Sequence, residues 1–498
     1  MNPRKLALLV VTASTLLLQV VAAQPRQHRP SKMKTESFDR DPQWEGRNNR
    51  PGDRNDQPVQ IRQDFGYSNT NPLDPGGGGG GVIGGFIQAA GEPAFYGKVI
   101  EPKTLRDPLS ASGTFTMADG DTQLLLGFFN AETTNEWRTP NTVSIRINGR
   151  GDHFYAYVEY CTSKWRAGGD TEPFVFMKKS DDGNDPAGLP SGGNKYHWSL
   201  TYDPKANKGN GSVIATIADY TAVGDLEPTH KRDGATFNRF GIMPVMKSAG
   251  GGTEIYLDNL TINREKETFD RDPKWDQKNN RRTYQTNNVR PRFDFGYSRT
   301  HFAGGKGKGE MGGQIFRGDS RYPNSMAYYA DKIGPLTLDK PFAASGKVVM
   351  LRGVTDSTTM FGFFNAEQSM RPNPSQKDAV PESMMGINIE GPSSEGFLFY
   401  PVYRTNGGSG RATPRSPEIP HIYPDADVRT WTFVYDPAAA NRKGRITVSL
   451  DGQSTSLDLM DGEKSSGTRF DRFGIITTWI DGAGQTVYFD DMTYTVQQ

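Results

Sequence analysis

The sequence predicts an all-β protein: two tandem β-sandwich domains of the jelly-roll type after a signal peptide. Three observations carry this. Gly numbers 57 and Pro 33 among 498 residues, and aromatics reach 11% while apolar residues are only 34%, the profile of turn-rich sheets rather than of a thick helical core. Short β-branched or aromatic runs bounded by Gly, Asn and Asp-Pro recur, and no stretch sustains an amphipathic helix. The length exceeds the roughly 250–300 residues at which one core stops growing, so more than one domain is expected.

Met1 to Ala23 reads as a secretory signal peptide: Arg4 and Lys5, an apolar run from Leu6 to Val21, then a small-residue site before Gln24. The run is shorter than the ~20 apolar residues of a membrane span, and no later segment reads as one. Residues 24–35 are polar and basic and are expected to be a disordered lead-in. The chain is therefore expected to be secreted or periplasmic. A formal net charge of +1 gives no basic field for nucleic acid. One cysteine, Cys161, excludes a disulfide framework and a multi-cysteine zinc site, and reads as a structural thiol.

A long repeat organises the rest. Glu36-Ser-Phe-Asp-Arg-Asp-Pro-Gln-Trp44 recurs as Glu267-Thr-Phe-Asp-Arg-Asp-Pro-Lys-Trp275, and Asn48-Asn49-Arg50 as Asn279-Asn280-Arg281. Asp64-Phe-Gly-Tyr67 recurs as Asp294-Phe-Gly-Tyr297, Gly127-Phe-Phe-Asn-Ala-Glu132 as Gly362-Phe-Phe-Asn-Ala-Glu367, and Tyr202-Asp-Pro204 as Tyr435-Asp-Pro437. A nearly constant offset over such a span means two copies of one domain. The reading places copy 1 at residues 36–262, a linker at 263–266 and copy 2 at 267–498.

Within each copy, Thr142–Asn148, Phe154–Tyr160, Trp198–Tyr202, Gly211–Ile217 and Arg445–Leu450 read as strands, with Asp-Pro…Gly turns after Tyr202 and Tyr435. A domain of this length is too large for an immunoglobulin-type sandwich of about 100 residues and suits a two-sheet jelly roll. The Phe-Asp-x-Asp-Pro-x-Trp opening, the Gly-Phe-Phe-Asn-Ala-Glu strand, the Trp-x-x-x-Tyr-Asp-Pro hairpin and the closing Tyr256-Leu-Asp-Asn-Leu-Thr261 or Tyr488-Phe-Asp-Asp-Met-Thr493 together resemble the concanavalin A-like lectin/glucanase superfamily, in the broad laminin-G-like sense. The resemblance implies a carbohydrate-binding or carbohydrate-active protein, in a fold that also hosts adhesion modules.

Alternation locates chemistry. Asn130 and Glu132, and Asn365 and Glu367, end equivalent strands. There they could bond vicinal sugar hydroxyls or supply a glycosidase carboxylate, or simply cap the strand. Tyr155, Tyr157 and Glu159 share a face, as a sugar platform or as cross-strand packing; Tyr400 and Arg404 align with Tyr157 and Cys161. Tyr297 joins these as a ligand-binding candidate. The copies diverge most in the loop after Asp-Phe-Gly-Tyr, where copy 2 offers His301 and Glu310 against Asn71 and Val82. With Glu367 these are the acid/base candidates, unless the glycine-rich loop merely drifts.

No cofactor is required by these motifs. Asp39, Asp41 and Asp258 in copy 1, and Asp270, Asp272 and Asp490 in copy 2, could collect one structural calcium ion per domain, or serve turn amides and arginines. The Glu-x-Asp-x-x-Glu strand of glucanases of this fold is absent, and Gly304–Gly309 lacks the ending of a phosphate loop, so no nucleotide is expected. Three readings remain: a secreted carbohydrate-binding protein, a polysaccharide hydrolase or lyase acting from copy 2, and an adhesion protein without a sugar site.

Overall fold

The computed structural model describes residues 31–53, 58–77, 80–134, 139–169, 178–179, 186–246, 250–287, 291–375, 377–391, 394–412 and 419–497. The signal peptide and the lead-in up to Pro30 lie outside these. The regular structure of the described residues is almost all strand, arranged as two β-sandwiches. Among the described residues no helix is long and apolar enough to cross a membrane.

In the N-terminal sandwich one sheet runs, in spatial order, Tyr220–Asp225, Ser212–Ile217, Lys195–Asp203, Leu109–Met117, Gly250–Ile262, Val82–Ala89, Pro58–Ser68 and Arg281–Asn287. The other runs Ala167–Gly168, His153–Cys161, Thr142–Arg150, Gln123–Phe129, Thr236–Pro244, Phe95–Thr104 and Asp276–Lys278. Period-two alternation turns Leu124, Leu126, Phe128, Val143, Ile145 and Ile147 onto Phe65, Ile83, Phe115, Leu200 and Tyr202 of the facing sheet, which makes one core. The C-terminal sandwich repeats this order and closes a second core around Phe361, Phe363, Trp431, Phe433, Phe473 and Tyr494.

The repeat motifs cross between the sandwiches. Ser31–Glu36 pairs antiparallel with the last strand, Ser31 opposite Gln497 and Glu36 opposite Met492. Glu45–Arg47 pairs with Tyr328–Ala330. Phe38 and Trp44 thus lie in the C-terminal core, with Trp44 5.8 Å from the Tyr329 ring and 5.9 Å from Tyr494. The matching segment of the second repeat serves the first sandwich: Asp276–Lys278 pairs with Phe95–Gly97, Arg281–Asn287 with Pro58–Asp64, and Phe269 and Trp275 join the N-terminal core. Each half is therefore closed by a segment that the repeat reading assigned to the other.

The boundaries change accordingly. Residues 36–50 close copy 2 and residues 265–287 close copy 1. The expected linker is a hairpin, because Ile262 pairs with Glu265 and Asn263 and Arg264 take φ of 48° and 76°, as a two-residue type I′ turn requires. The end of the expected disordered lead-in is the ordered strand from Ser31.

The exchange explains the shared motifs. Asn280 Nδ2 donates to the Phe65 carbonyl (2.5 Å) and the Phe65 amide donates to the Asn280 carbonyl (2.9 Å). Asn49 does the same to Phe295, at 2.6 and 2.9 Å. The glycine between Phe and Tyr must stay bare for this approach. A Cβ on Gly66 would stand 3.2 Å from Asn280 Nδ2, and one on Gly296 3.1 Å from both Asn49 Nδ2 and Arg50 Nη2.

The sandwiches also touch directly. Trp165 packs with Val354 and Ala483, and fully buried His230 spans the junction, its Nδ1 2.9 Å from the Tyr160 hydroxyl and its Nε2 2.6 Å from the Ser394 carbonyl. The carbonyl can only accept, so Nε2 donates and neutral Nδ1 accepts from Tyr160. Burial, with Arg166 nearby, holds the imidazole below its ordinary 6.5 despite the Ser394 bond and the acids Asp233 and Glu227. A depressed histidine contributes stability above pH 6.5 that is lost as pH falls through its folded pKa. His230→Gln should flatten that acid-side fall in thermal midpoint, and an unchanged fall would remove His230 as its source.

Candidate functional site

The predicted strand-end residues are turn caps. Asn130 Oδ1 accepts the Glu132 amide at 3.0 Å and its Nδ2 donates to Thr236 Oγ1 at 2.8 Å, while Glu132 is exposed. Asn365 Oδ1 accepts the Gln368 amide at 3.0 Å. Glu367 is exposed and pairs with Arg371 at 2.8 Å.

Of the two sheet faces expected to form platforms, the N-terminal one leaves Tyr155 and Tyr157 half-buried and the C-terminal one is covered. Arg146 lies 4.3 Å over the Tyr157 ring and 3.3 Å from Glu159 Oε2, and Glu159 is 0% exposed. The Tyr155 hydroxyl meets His153 Nε2 at 3.2 Å. In the C-terminal sandwich Met370, Val380, Ile419 and Trp479 cover the corresponding face. Beneath them Tyr400 is fully buried against Asn388 and Glu390, and Arg404 stacks 4.7 Å over Trp479 and donates to the Val380 carbonyl. Neither Tyr400 nor Arg404 is a surface platform, because loops with apolar side chains close over the strand.

The acid/base trio is not assembled. Glu310 is 0% exposed, and its oxygens accept the amides of Phe302 (3.0 Å) and Ala303 (2.7 Å), which shape the glycine-rich loop. A carboxylate so engaged is a loop anchor, not a proton carrier. His301 is exposed on that loop, and Glu367 follows a strand of the opposite sheet.

The acidic groups regroup as the segments exchange. Asp39 abuts Gly307, and Asp490 abuts Gly305 of the same loop. Asp258 faces the charges of Asp270 and Asp74. Asp41 and Asp272 instead cap turns, accepting the amides of Gln43 and Lys274, each at 2.9 Å. The expected calcium sets of Asp39, Asp41 and Asp258, and of Asp270, Asp272 and Asp490, are not formed. Among the described residues no three His, Cys, Asp or Glu side chains gather to hold a metal ion. A lysine stands in each group: Lys347 reaches Asp491 at 2.9 Å and the Gly304 carbonyl at 2.7 Å, and Lys195 acts on Asp258. These residues do not fit a site of 6–8 oxygen ligands.

What the exchange does build is a cleft of 310 Å³ at the edge of the N-terminal sandwich, lined by Tyr67, Tyr96, Asp272, Lys274, Trp275, Gln277 and Arg281. Tyr67 comes from the Asp-Phe-Gly-Tyr motif of one repeat, and Asp272, Trp275 and Arg281 from the opening motif of the next. Beneath the cleft Tyr96 and Trp275, only 4% and 7% exposed, stack 5.6 Å apart at 26°. Arg281 Nη2 donates to the Tyr67 carbonyl at 2.5 Å. Burial, then the charge of Asp272, pushes the Tyr96 hydroxyl up to about 12, so it remains a protonated donor at neutral pH.

The C-terminal sandwich repeats this set as Tyr297, Tyr329, Asp41, Trp44 and Arg50. Burial and Asp41 likewise raise the Tyr329 hydroxyl, and Arg50 Nη2 donates to the Tyr297 carbonyl at 2.5 Å. Of the predicted ligand residues, Tyr297 alone falls in such a set. In the sequence the shared motifs read as domain markers, with their aspartates as calcium candidates and Tyr297 as a ligand candidate. Their concentration of Trp, Tyr, Asp and Arg in both copies was the available signal for a site.

Comparison with known proteins gives fold neighbours only. No protein-family model matches the chain, and no curated protein matches it. Among solved structures it is similar to the Emp47p carbohydrate recognition domain, with 14% identity and TM-score 0.26 over 41% of this chain and 88% of that one. It is similar to mouse laminin alpha1 domains LG4-5, with 10% identity and TM-score 0.23 over 82% of this chain and 90% of that one. The endo-1,3-beta-glucanase of Streptomyces sioyaensis gives 11% identity and TM-score 0.23 over 39% of this chain and 78% of that one.

Proposed function

We propose that this chain is an exported protein that binds carbohydrate without cleaving it, through the edge cleft of its N-terminal sandwich. The cleft itself carries the reading. Its exposed rim of Asp272, Lys274, Gln277 and Arg281 offers donors and acceptors to sugar hydroxyls, above the largely buried Tyr96–Trp275 pair. Its 310 Å³ lies at the lower end of the roughly 300–1,000 Å³ of small-ligand sites. Binding is favoured over turnover because a glycosidase needs two free carboxyl groups about 5–10 Å apart, and Glu310 is consumed by amides.

A glycan array read together with reducing-end release tests this. Binding without release is expected. Gln277→Ala, at an exposed position of the rim, should weaken binding about tenfold with the fold intact. Release of reducing ends would return the enzyme reading, and no binding to any glycan would favour the adhesion reading.

A further inference from the structure

Resting on the carbohydrate reading, we propose that the N-terminal cleft takes an anionic sugar unit, a uronate or a sulfate ester, held by Lys274 and Arg281. The cleft residues and the matching C-terminal set share their Tyr–Trp pair and differ in charge. Lys274 stands where the C-terminal set has Gln43. Arg281 stands where it has Arg50, but the two arginines are in different electrostatic states.

Arg50 Nη1 is paired with Asp294 at 2.8 Å. The matching Asp64 is paired instead with Arg62, at 2.9 Å. Arg292, which corresponds to Arg62, donates to the Gly91 carbonyl of the first sandwich at 2.9 Å, leaving Asp294 to Arg50. Among the described residues no carboxylate pairs with Arg281, whose guanidinium is anchored by one Nη2 bond to the Tyr67 carbonyl. The one carboxylate in the lining, Asp272, spends Oδ1 on the Lys274 amide. The N-terminal cleft therefore presents two exposed cations against one acid. A planar guanidinium held at one end can still offer its other N–H groups to a carboxylate or sulfate, with the ammonium as a second point charge.

The test uses the full chain and two matched pairs of polymers: polygalacturonate against its methyl ester, and a sulfated galactan against the unsulfated one. At least one anionic member should bind about tenfold more tightly than its neutral partner at low salt, and the gap should close as salt is raised. The pair that shows the gap identifies the acid. Lys274→Gln and Arg281→Gln should each reduce the gap, whereas Arg50→Gln should leave it. Lys274→Gln keeps the test open if loss of the Tyr67 anchor unfolds Arg281→Gln. Equal binding of charged and neutral members overturns this inference and leaves the carbohydrate reading standing. No binding to any of the four, or to the array, overturns both.

Discussion

Trp44→Ala unfolds or loosens the C-terminal sandwich and leaves the N-terminal one protected, although Trp44 lies near the start of the chain. Its indole is 7% exposed and packs on Phe38, Tyr329 and Tyr494 of the second core. Truncating a buried Trp costs about 3–5 kcal/mol, transfer and cavity together. That is a large share of the 5–15 kcal/mol that holds a typical domain. Trp275→Ala should do the reverse, because Trp275 packs on Tyr96 and Phe269 in the first core. Hydrogen exchange reads this directly, through loss of protection in Arg429–Asp436 and Thr358–Phe364 for Trp44→Ala and in Gln123–Phe129 and Lys195–Asp203 for Trp275→Ala. The opposite pattern would restore the simple tandem boundaries.

Asp490→Asn is expected to abolish a loss of stability that the native chain suffers between acid and neutral pH. Asp490 is 0% exposed; Oδ1 accepts the Asp491 amide at 2.7 Å, and the Gly305 backbone lies against the carboxyl. Burial first, then the charges of Asp491 and Glu310, lifts its carboxyl from 3.8 to about 7, against the Asp491 and Gly305 amides. The groups around it are thus Asp491, Glu310, Asp39 where the exchanged segment abuts the same loop, and Lys347 beyond Asp491.

A folded pKa above the unfolded one gives stability that is complete below 3.8 and lost as pH rises through about 7. At 1.36 kcal/mol per unit the loss is up to about 4 kcal/mol. The asparagine keeps the shape and removes the titration, so chemical denaturation of the variant should show no fall over that window and a more stable C-terminal half at neutral pH. A fall of the same size in the variant would locate the titration elsewhere. Rescue of the native chain by added calcium would contradict the lysine-neutralised picture.

The fold class was legible because turn chemistry and alternation are local. Tyr202-Asp-Pro and Tyr435-Asp-Pro end strands as read, and Arg445–Leu450 forms as a strand with the predicted bounds. The exchange was not legible, because a repeat has a period but no phase. Phe38 and Phe269 keep their offset whichever core they enter, and only strand pairing decides. What covers each sheet face was not legible for a related reason. Alternation correctly put Tyr157 and Glu159 on one face, but it says nothing about what lies over that face. For Tyr400 a hint was present, since Phe397-Leu-Phe-Tyr-Pro-Val-Tyr is apolar on both faces, and both are buried. Glu310 shows the limit of residue type as a guide: a carboxylate beside a glycine-rich loop reads as chemistry, while the unbonded amides of that loop require an acceptor.

The edge cleft is the proposed place of sugar binding. Hydrogen exchange of the full chain, with and without the tightest glycan from the array, tests this most directly. New protection should be confined to Asp64–Tyr67, Phe95–Gly97 and Asp272–Arg281. Protection appearing instead on Thr142–Arg150 and His153–Cys161, with the cleft unchanged, would contradict it and move the site to the sheet face.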